Sequence, residues 1–273
     1  MSILKKTFFF CICSLFFTAG VPHQNITKSQ PVVLAQNEYQ KHEQSCIWDV
    51  SDVCIDKIDP TRKLIALTFD DAPAKTLESI VSVFASFNEC NPDCPACATV
   101  FCNGHRITAS GMQLLKAAHL LGFEMGNHGY SHADPMGLTK QQLQSEIERT
   151  DQLLCAVDGK RFHLFRAPFG NVNETVRCIA KAPIISWTID TLDWTKISTN
   201  FVYDTVMSNL FNGAIVLMHD GYEGTVYALK QLLPDLKARG YQVVSISQMA
   251  KMHKQNLECG KVYIRIRKNG NGK

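Results

Sequence analysis

Seven short apolar runs occur along the chain after residue 62, separated by segments whose apolar residues have helical spacing. The runs have the length of strands and do not alternate with polar residues, which is typical of strands buried on both faces of a parallel sheet. They cover residues 64–69, 98–102, 123–126, 162–166, 184–189, 214–218 and 241–246. Strands that alternate with helices in this way predict parallel β/α units.

The segments between the runs predict amphipathic helices. Apolar faces at helical spacing are formed by Leu77, Ile80, Val81, Phe84 and Phe87, and by Leu143, Ile147 and Leu154. Thr139 stands just before the second face and is a candidate N-cap. The chain lacks the glycine-rich loops that mark nucleotide sites. We therefore predict an α/β fold, a closed or nearly closed β/α barrel of seven parallel strands, rather than an open doubly wound sheet.

The first twenty residues have the order of a secretory signal. Lys5 and Lys6 precede an apolar block at 8–17, and small residues follow at 18–20. The block is shorter than the roughly 18 residues of a membrane span. We predict a signal peptide over 1–20, with an uncleaved signal anchor as the alternative. Residues 21–60 are polar and lack a sustained period, so we predict a linker followed by an N-terminal cap.

The composition is that of a globular domain. Of the 273 residues, 45% are hydrophobic and 19% are charged, and the formal net charge is +3. A small net charge without a long Lys/Arg run argues against a nucleic-acid partner. The low content of glycine and proline excludes collagenous and disordered chains.

The cysteines are candidates for disulfides if the chain is exported. Eleven are present, and subtracting Cys11 and Cys13 of the predicted signal leaves nine. The densest group comprises Cys90, Cys94, Cys97 and Cys102. We predict disulfides within this group, while a metal knuckle and reduced buried thiols remain open as alternatives. Because nine is odd, at least one cysteine lacks an intrachain partner.

Polar residues stand at the carboxyl ends of five predicted strands, on the face where β/α barrels build their active sites. The groups are Thr68-Phe69-Asp70-Asp71, Asn127-His128-Gly129-Tyr130-Ser131-His132, Arg166-Ala167-Pro168-Phe169-Gly170, Asp190-Thr191-Leu192-Asp193-Trp194 and Leu217-Met218-His219-Asp220. Each group alone has a structural explanation, such as a turn or an ion pair. Five ionisable strand ends together would be costly to bury without a function.

The residue types in these groups suit metal-assisted hydrolysis. Asp71, His128 and His132 offer one carboxylate and two imidazoles, a set that leaves coordination positions open for water and substrate. Asp70 points to a different side of the strand and can accept a proton from that water. His219 comes from another strand and can protonate a leaving nitrogen.

Two further residues would adjust the base and the acid. Arg166 can keep Asp70 ionised, and Asp193 can orient His219 and favour its charged form. A serine nucleophile is disfavoured because the chain has no G-x-S-x-G elbow.

The five groups, in this order, resemble the motifs of the polysaccharide deacetylases, carbohydrate esterase family four, with the nodulation-protein-B-like domain. The matching segments are Thr68-Phe69-Asp70-Asp71 for T-F-D-D, 128–132 for H-[ST]-x-x-H, 166–170 for R-x-P-[YF]-G, 190–194 for D-x-x-D-W and 217–219 for L-x-H. The resemblance covers about two-thirds of the chain, from residue 63 to residue 249.

This resemblance implies a distorted barrel that removes acetyl groups from N-acetylglucosamine polymers, or from acetylated xylan, with one divalent metal ion, usually zinc or cobalt. The implied catalytic residues are Asp70 as base, His219 as acid, and Arg166 and Asp193 as their tuning partners. The implied metal ligands are Asp71, His128 and His132. The implied substrate-binding residues are Pro168, Phe169, Gly170, Trp194 and Leu217. Among them, the Phe169 backbone N–H would help form an oxyanion hole, and Trp194 and Leu217 would line an acetyl pocket.

Three positions depart from the family pattern. Ala72 replaces the usual glycine after the aspartate pair, so we expect a narrower loop there. Gly129 stands where serine or threonine normally braces the metal loop, so we expect His128 to be less firmly held. Phe169 replaces a common tyrosine, a mild change because the family uses the backbone at that site.

The predicted organisation is a signal peptide at 1–20, a linker and cap at 21–60, a deacetylase barrel at 61–258 and a short basic tail at 259–273. The predicted function is secreted, metal-dependent removal of N-acetyl groups from a cell-wall polymer such as peptidoglycan or a chitin-like chain. The alternatives are a xylan O-acetyl esterase and a catalytically silent glycan-binding relative. The predicted partner is an acetylated polysaccharide, with no nucleic acid and no stable membrane partner beyond an uncleaved anchor. The sequence leaves the oligomeric state open.

Overall fold

The computed structural model describes residues 47–195 and 198–268. The predicted signal peptide and most of the predicted linker lie outside these ranges, so both stay predictions. Within the described ranges, no helix combines the length and the apolar character needed to cross a bilayer.

The described residues form one sheet of parallel strands covered by helices. The strands are β1 (Lys63–Ala72), β2 (Thr99–Cys102), β3 (Glu124–Asn127), β4 (Leu164–Phe165), β5 (Ile184–Ile185), β6 (Ile189–Asp190), β7 (Ala214–His219), β8 (Tyr241–Val243) and β9 (Val262–Tyr263). The α-helices are α1 (Leu77–Cys90), α2 (Ala109–Leu120), α3 (Lys140–Asp158), α4 (Glu174–Ile179), α5 (Thr199–Ser208), α6 (Glu223–Ala238) and α7 (Ile246–His253).

The sheet is a parallel half-barrel, in agreement with the β/α barrel that the strand pattern predicts and with the distorted barrel that the family resemblance implies. Its order is β6-β7-β1-β2-β3-β4-β5-β9, with β8 paired to the start of β1, and every one of these strand pairs is parallel. An antiparallel bridge between Ala214 and Arg265 brings the chain beyond β9 back to β7. Because the strands are parallel, their carboxyl ends meet at one end of the barrel. The predicted fold class is confirmed.

The number of strands differs from seven for two reasons. The predicted run 184–189 divides where the chain changes partner: Ser186 N–H donates to the carbonyl of Tyr263, whereas Thr188 N–H donates to the carbonyl of Ile215. The run therefore forms β5 and β6. The second reason is β9, which lies inside the segment predicted as a tail at 259–273, so the sheet extends past the predicted boundary at residue 258.

Both ends of the described chain pack against the barrel. Trp48 is buried, and its indole N–H donates to Ser247 Oγ at 3.3 Å, which joins the segment before β1 to α7. Ile266 is fully buried, and its N–H donates to the carbonyl of Gly213 just before β7. Apolar residues at both ends thus contribute to the core.

Helix α3 forms as its sequence predicts. The Thr139 hydroxyl accepts the backbone N–H of Gln142, and the Gln142 side chain accepts in return from the backbone N–H of Thr139, which together make a capping box. The predicted apolar residues Leu143, Ile147 and Leu154 are buried. The helix ends at Gly159, whose left-handed φ of 77° is easily adopted by glycine.

The disulfides predicted within the group of four cysteines from Cys90 to Cys102 are not confirmed. Cys90, Cys94, Cys97 and Cys102 are free thiols, and all but Cys90 are buried. Cys97 Sγ donates to Gln248 Oε1 at 2.9 Å, and burial raises the pKa of Cys97 to about 12. The structure therefore agrees with buried reduced thiols, one of the two alternatives that the sequence left open. Among the described residues, the cluster with metal-ligand geometry contains no cysteine.

Candidate active site

Asp70 and Asp71 lie at the carboxyl end of β1, where their carboxylates enter different surroundings. Asp70 is buried and pairs in register with His219 of β7. Asp71 has a left-handed backbone with φ of 67°, which breaks the regular strand geometry. Arg106 Nη1 donates to the Asp71 carbonyl at 3.0 Å and holds this turn. The two neighbouring carboxylates therefore lie in different surroundings, and the different tasks assigned to them stay a prediction.

The Asp70 carboxylate is held by a buried arginine. Arg166 Nη1 lies 2.7 Å from Asp70 Oδ1 and also donates to Thr68 Oγ1 at 2.8 Å. His128 Nε2 lies 3.5 Å from Asp70 Oδ2. Burial by itself raises the pKa of Asp70, but the charge of Arg166, followed by His128 and His219, outweighs burial and lowers the pKa below its ordinary value. Asp70 is thus an ionised carboxylate able to accept a proton.

Asp71, His128 and His132 come together as a candidate metal set. One ligand atom from each lies within 4.8 Å of the others. His128 Nδ1 lies 2.7 Å from the carbonyl oxygen of Arg166, to which it donates, so Nε2 is the ring nitrogen that remains for a metal ion. Burial and the neighbouring His128 lower the pKa of His132, which favours the neutral form that binds metals.

The donor set fits a divalent cation. Asp71 Oδ1 is buried, accepts no hydrogen bond and lies 3.6 Å from His132 Nε2. A buried carboxylate oxygen without a donor is costly unless a cation satisfies it. One carboxylate with two imidazoles suits zinc and related borderline ions.

We call residues 128–132 the ligand loop, because both histidines of the metal set lie on it. Its conformation needs a left-handed residue at Gly129, with φ of 76°, and again at His132, with φ of 61°. Glycine adopts the first of these without strain, which accounts for its presence at a position where the family pattern has serine or threonine. Asn127 Oδ1 accepts the Gly129 N–H at 2.9 Å, and Asn103 Nδ2 donates to the carbonyl of His128 at 3.0 Å.

His219 and Asp193, predicted as the catalytic acid and its partner, form a hydrogen-bonded pair. His219 Nδ1 lies 2.7 Å from Asp193 Oδ1, and the His219 backbone N–H donates to Asp193 Oδ2 at 2.8 Å. Thr225 Oγ1 donates to the same Oδ2 at 2.6 Å, so Asp193 is fixed from two sides. Burial by itself lowers the pKa of His219, but the hydrogen bond to Asp193 and the charge of Asp70 raise it above its ordinary value. His219 therefore favours the protonated form, with Nε2 directed away from Asp193.

The predicted substrate-binding residues occupy different environments. Phe169 is 64% exposed, has a left-handed φ of 59°, and its ring centroid lies 4.7 Å from that of His132. Trp194 is also exposed. Leu217 and Pro168 are buried, whereas Gly170 is exposed. Phe169 thus brings an aromatic side chain to the metal set, whereas the sequence reasoning used only its backbone.

Asp220 is a buried residue to which the sequence reasoning gave no role. Its backbone N–H donates to the Asp70 carbonyl, and its carboxylate accepts from the backbone N–H of Ala74. The carboxylate also accepts from Thr76, at 3.0 Å from the backbone N and 2.7 Å from Oγ1. Asp220 therefore ties the end of β7 to the turn that follows Asp71. The sequence feature that could have indicated a role for Asp220 is its position directly after His219.

Known proteins resemble this chain in sequence and in structure. Residues 57–183 match the polysaccharide deacetylase family. The peptidoglycan-N-acetylmuramic acid deacetylase PdaC of Bacillus subtilis is 29% identical over 234 residues, covering 85% of this chain and 48% of PdaC. A solved structure of PdaC superimposes with a TM-score of 0.66 at 30% identity, covering 72% of this chain and 95% of that one.

Two further relatives extend the comparison. A peptidoglycan-N-acetylglucosamine deacetylase of Bacillus cereus is 31% identical over 207 residues, covering 68% of this chain and 88% of that protein. A bifunctional xylanase/xylan deacetylase of Cellvibrio japonicus is 31% identical over 180 residues, covering 64% of this chain and 26% of that protein. The chain thus spans less than half the length of PdaC and of the Cellvibrio protein.

The chain belongs to the polysaccharide deacetylase family, which confirms the resemblance seen in its five strand-end motifs. Members of this family depend on a metal ion, and the described residues include an Asp/His/His set that can hold one.

Proposed function

We propose that this chain is a metal-dependent N-deacetylase that releases acetate from N-acetylglucosamine residues of a cell-wall polymer, peptidoglycan in the first place. The observation that carries the proposal is that a candidate base, a candidate acid and a candidate metal set lie together at one end of the barrel. An ionised Asp70 and an Asp193-bound His219 face each other across paired positions of β1 and β7. The metal set of Asp71, His128 and His132 lies beside them.

The proposed reaction adds water to the acetyl carbonyl and breaks the carbon–nitrogen bond. A zinc or cobalt ion held by Asp71, His128 and His132 would lower the pKa of water and polarise the carbonyl oxygen. Asp70 accepts one proton from the attacking water, and Arg166 keeps Asp70 ionised until that moment. His219 then donates its proton to the leaving nitrogen, which departs as a free amine, while the acetyl group leaves as acetate.

The remaining proposed roles concern the substrate. The Phe169 backbone N–H, presented by a left-handed turn, would stabilise the negative charge that develops on the acetyl oxygen. Trp194 and Leu217 would line the acetyl pocket, and Pro168 and Gly170 would shape the turn that presents Phe169. An amine is a poor leaving group unless it is protonated, so a histidine kept in its charged form suits an amide substrate.

Peptidoglycan is proposed as the polymer because PdaC and the Bacillus cereus relative are named for it. A cell-envelope location, reached through the predicted signal peptide, follows from that substrate. Removal of O-acetyl groups from xylan is the second candidate, favoured by the similarity to the Cellvibrio xylan deacetylase. Both reactions would use the same water, base and acid.

The test is acetate release from a panel of acetylated glycans by the metal-loaded protein. The panel contains peptidoglycan, chitin oligomers and acetylated xylan, each assayed with and without added zinc or cobalt. Release from peptidoglycan above the others supports the proposal, and release from xylan alone supports the second candidate. Metal binding with no release from any glycan would instead indicate a silent glycan-binding relative.

A further inference from the structure

A carboxylate from helix α3 binds the middle of the ligand loop. Glu146 Oε2 accepts the backbone N–H of Tyr130 at 2.9 Å and that of Ser131 at 2.7 Å. Glu146 Oε1 accepts the Ser131 hydroxyl at 3.0 Å. The residues between the two histidines of the metal set thus direct three donors at one side chain.

We propose that Glu146 is a positioning residue that sets the spacing of His128 and His132 for metal binding. The inference rests on the proposed function, because it assigns a role toward the metal set. The ligand loop has left-handed residues at Gly129 and His132, so the N–H groups of Tyr130 and Ser131 between them do not join a helix or a strand ladder. Glu146 supplies the acceptor for these two N–H groups.

The imidazoles of His128 and His132 lie close together, but they are held in different ways. Their ring centroids are 5.0 Å apart, and His128 is buried whereas His132 is partly exposed. His128 is already fixed through the Arg166 carbonyl. His132 has no comparable hydrogen bond among the contacts of the described residues, so the hydrogen bonds nearest to it along the loop are those of Tyr130 and Ser131 to Glu146.

Helix α3 is suited to act as a rigid support. It buries Leu143 and Ile147 on the face next to the loop and begins with a capping box. Asn127 Nδ2 donates to the Ile147 carbonyl and to Asp151 Oδ1, both at 2.9 Å, and Asn127 Oδ1 accepts from Gly129. The same helix therefore holds the beginning of the loop through Asn127 and its middle through Glu146.

The chain offers a matched control on the same helix. Glu148 lies two residues further along α3, is exposed, and its carboxylate accepts from Gln144 Nε2 at 2.7 Å. Glu148→Ala removes the same charge from the same helix without touching the ligand loop. Any effect of Glu146→Ala that exceeds that of Glu148→Ala therefore arises from the loop contacts.

The experiment measures binding of zinc and cobalt by competition with a chromophoric chelator, together with the visible absorption spectrum of bound cobalt. Loss of a residue that supports metal ligands typically weakens metal binding about 10–100-fold. We expect Glu146→Ala to weaken binding about tenfold or more and to change the cobalt spectrum, with Glu148→Ala unchanged in both.

Two conservative variants separate positioning from general stability. In Glu146→Gln, the single amide oxygen can still accept both N–H groups and the amide can donate to the Ser131 hydroxyl, so binding should return to within about threefold of wild type. In Glu146→Asp, the charge is kept but the acceptor is withdrawn by one methylene, so binding should weaken as in Glu146→Ala. If Glu146→Ala fails to fold, the Gln and Asp variants carry the comparison.

The outcomes are distinguishable from those of the proposed function. If wild-type protein binds no metal, the proposed function fails before Glu146 is tested. If wild type binds metal but Glu146→Ala and Glu146→Asp bind it as tightly as Glu148→Ala, with the same cobalt spectrum, the positioning role is overturned and the proposed function stands.

Discussion

A buried histidine packed against helix α3 should make this protein less stable as the pH becomes alkaline. His163 has a fully buried side chain between two carboxylates of α3. Its Nδ1 lies 2.9 Å from Asp151 Oδ1, and its Nε2 lies 3.1 Å from Asp158 Oδ1. Burial by itself lowers the pKa of His163, but the hydrogen bonds and charges of Asp151 and Asp158 raise it from 6.5 to about 9.

The direction of the effect follows from this rise in pKa. A group whose pKa is higher in the folded state stabilises the fold fully below its unfolded pKa, here 6.5, and loses that contribution as pH rises through about 9. At about 1.4 kcal/mol per pKa unit, the shift corresponds to about 3 kcal/mol of the free energy of unfolding. Solvent screening does not reduce this value, because the His163 side chain is fully buried.

The assay is urea unfolding, followed by circular dichroism, of wild type and His163→Gln at about pH 6 and about pH 10, on either side of the two pKa values. We expect the stability of wild type relative to the variant to fall by about 3 kcal/mol between the lower and the higher pH, whatever constant difference the substitution itself adds. Tyrosine and lysine titrations cancel, because both proteins contain them. A difference in stability that stays constant with pH, or grows as pH rises, would refute the reasoning.

Three further predictions concern the site and the thiols. Asp71→Asn should lower metal occupancy and the rate of acetate release together. Asp70→Asn and His219→Ala should keep the metal and lose about 10²–10⁴-fold in rate. Metal stoichiometry is measured beside acetate release, and the assigned roles are contradicted if the two aspartate variants show each other's expected behaviour. Chelation should abolish acetate release and zinc or cobalt should restore it, and undiminished turnover after verified metal removal would exclude the mechanism. Native protein should alkylate at exposed Cys155 but not at buried Cys97, and mass spectrometry showing equal modification would contradict the burial that raises the Cys97 pKa.

The motif residues could be predicted because their chemistry and their position are both local in sequence. Asp70 and His219 lie on different strands, yet each stands at the carboxyl end of its own strand, and parallel pairing brings those ends together. Arg166 follows the same rule after β4, and the structure places its guanidinium against Asp70. Periodicity and strand-end position were therefore sufficient to predict these contacts.

The supporting contacts could not be predicted because they join residues on different elements without a sequence signature. Glu146 reads as one acidic residue among several on the exposed side of a helix until the helix is docked against the ligand loop. Asn103 is a single amide after β2, and only the fold shows that it binds the carbonyl of His128. The division of the predicted run 184–189 into β5 and β6, and the strand β9, were not predicted, because segments of two residues are too short for periodicity to indicate a strand.

The cysteines show a different source of error. Their disulfides were predicted from an export signal and from cysteine density, which describe a compartment and not a geometry. The fold places these thiols in different environments. Cys102 lies in the core strand β2, whereas Cys97 is hydrogen-bonded to Gln248. Burial of a small apolar thiol explains Cys97 and Cys102 without a covalent bond.

The distribution of unsatisfied polar atoms supports the assignment of the metal set independently of the motifs. Among the described residues, two buried side-chain oxygens have no hydrogen-bond partner, Asp71 Oδ1 and Asn103 Oδ1. Both belong to residues around His128, since Asp71 joins it in the metal set and Asn103 binds its carbonyl. Folded proteins satisfy nearly all buried polar groups, because each orphan costs about 1–3 kcal/mol. Arg166 balances Asp70, His219 balances Asp193, and the Asp220 carboxylate accepts hydrogen bonds from Ala74 and Thr76, so Asp71 Oδ1 is the carboxylate oxygen of this region that a cation would satisfy.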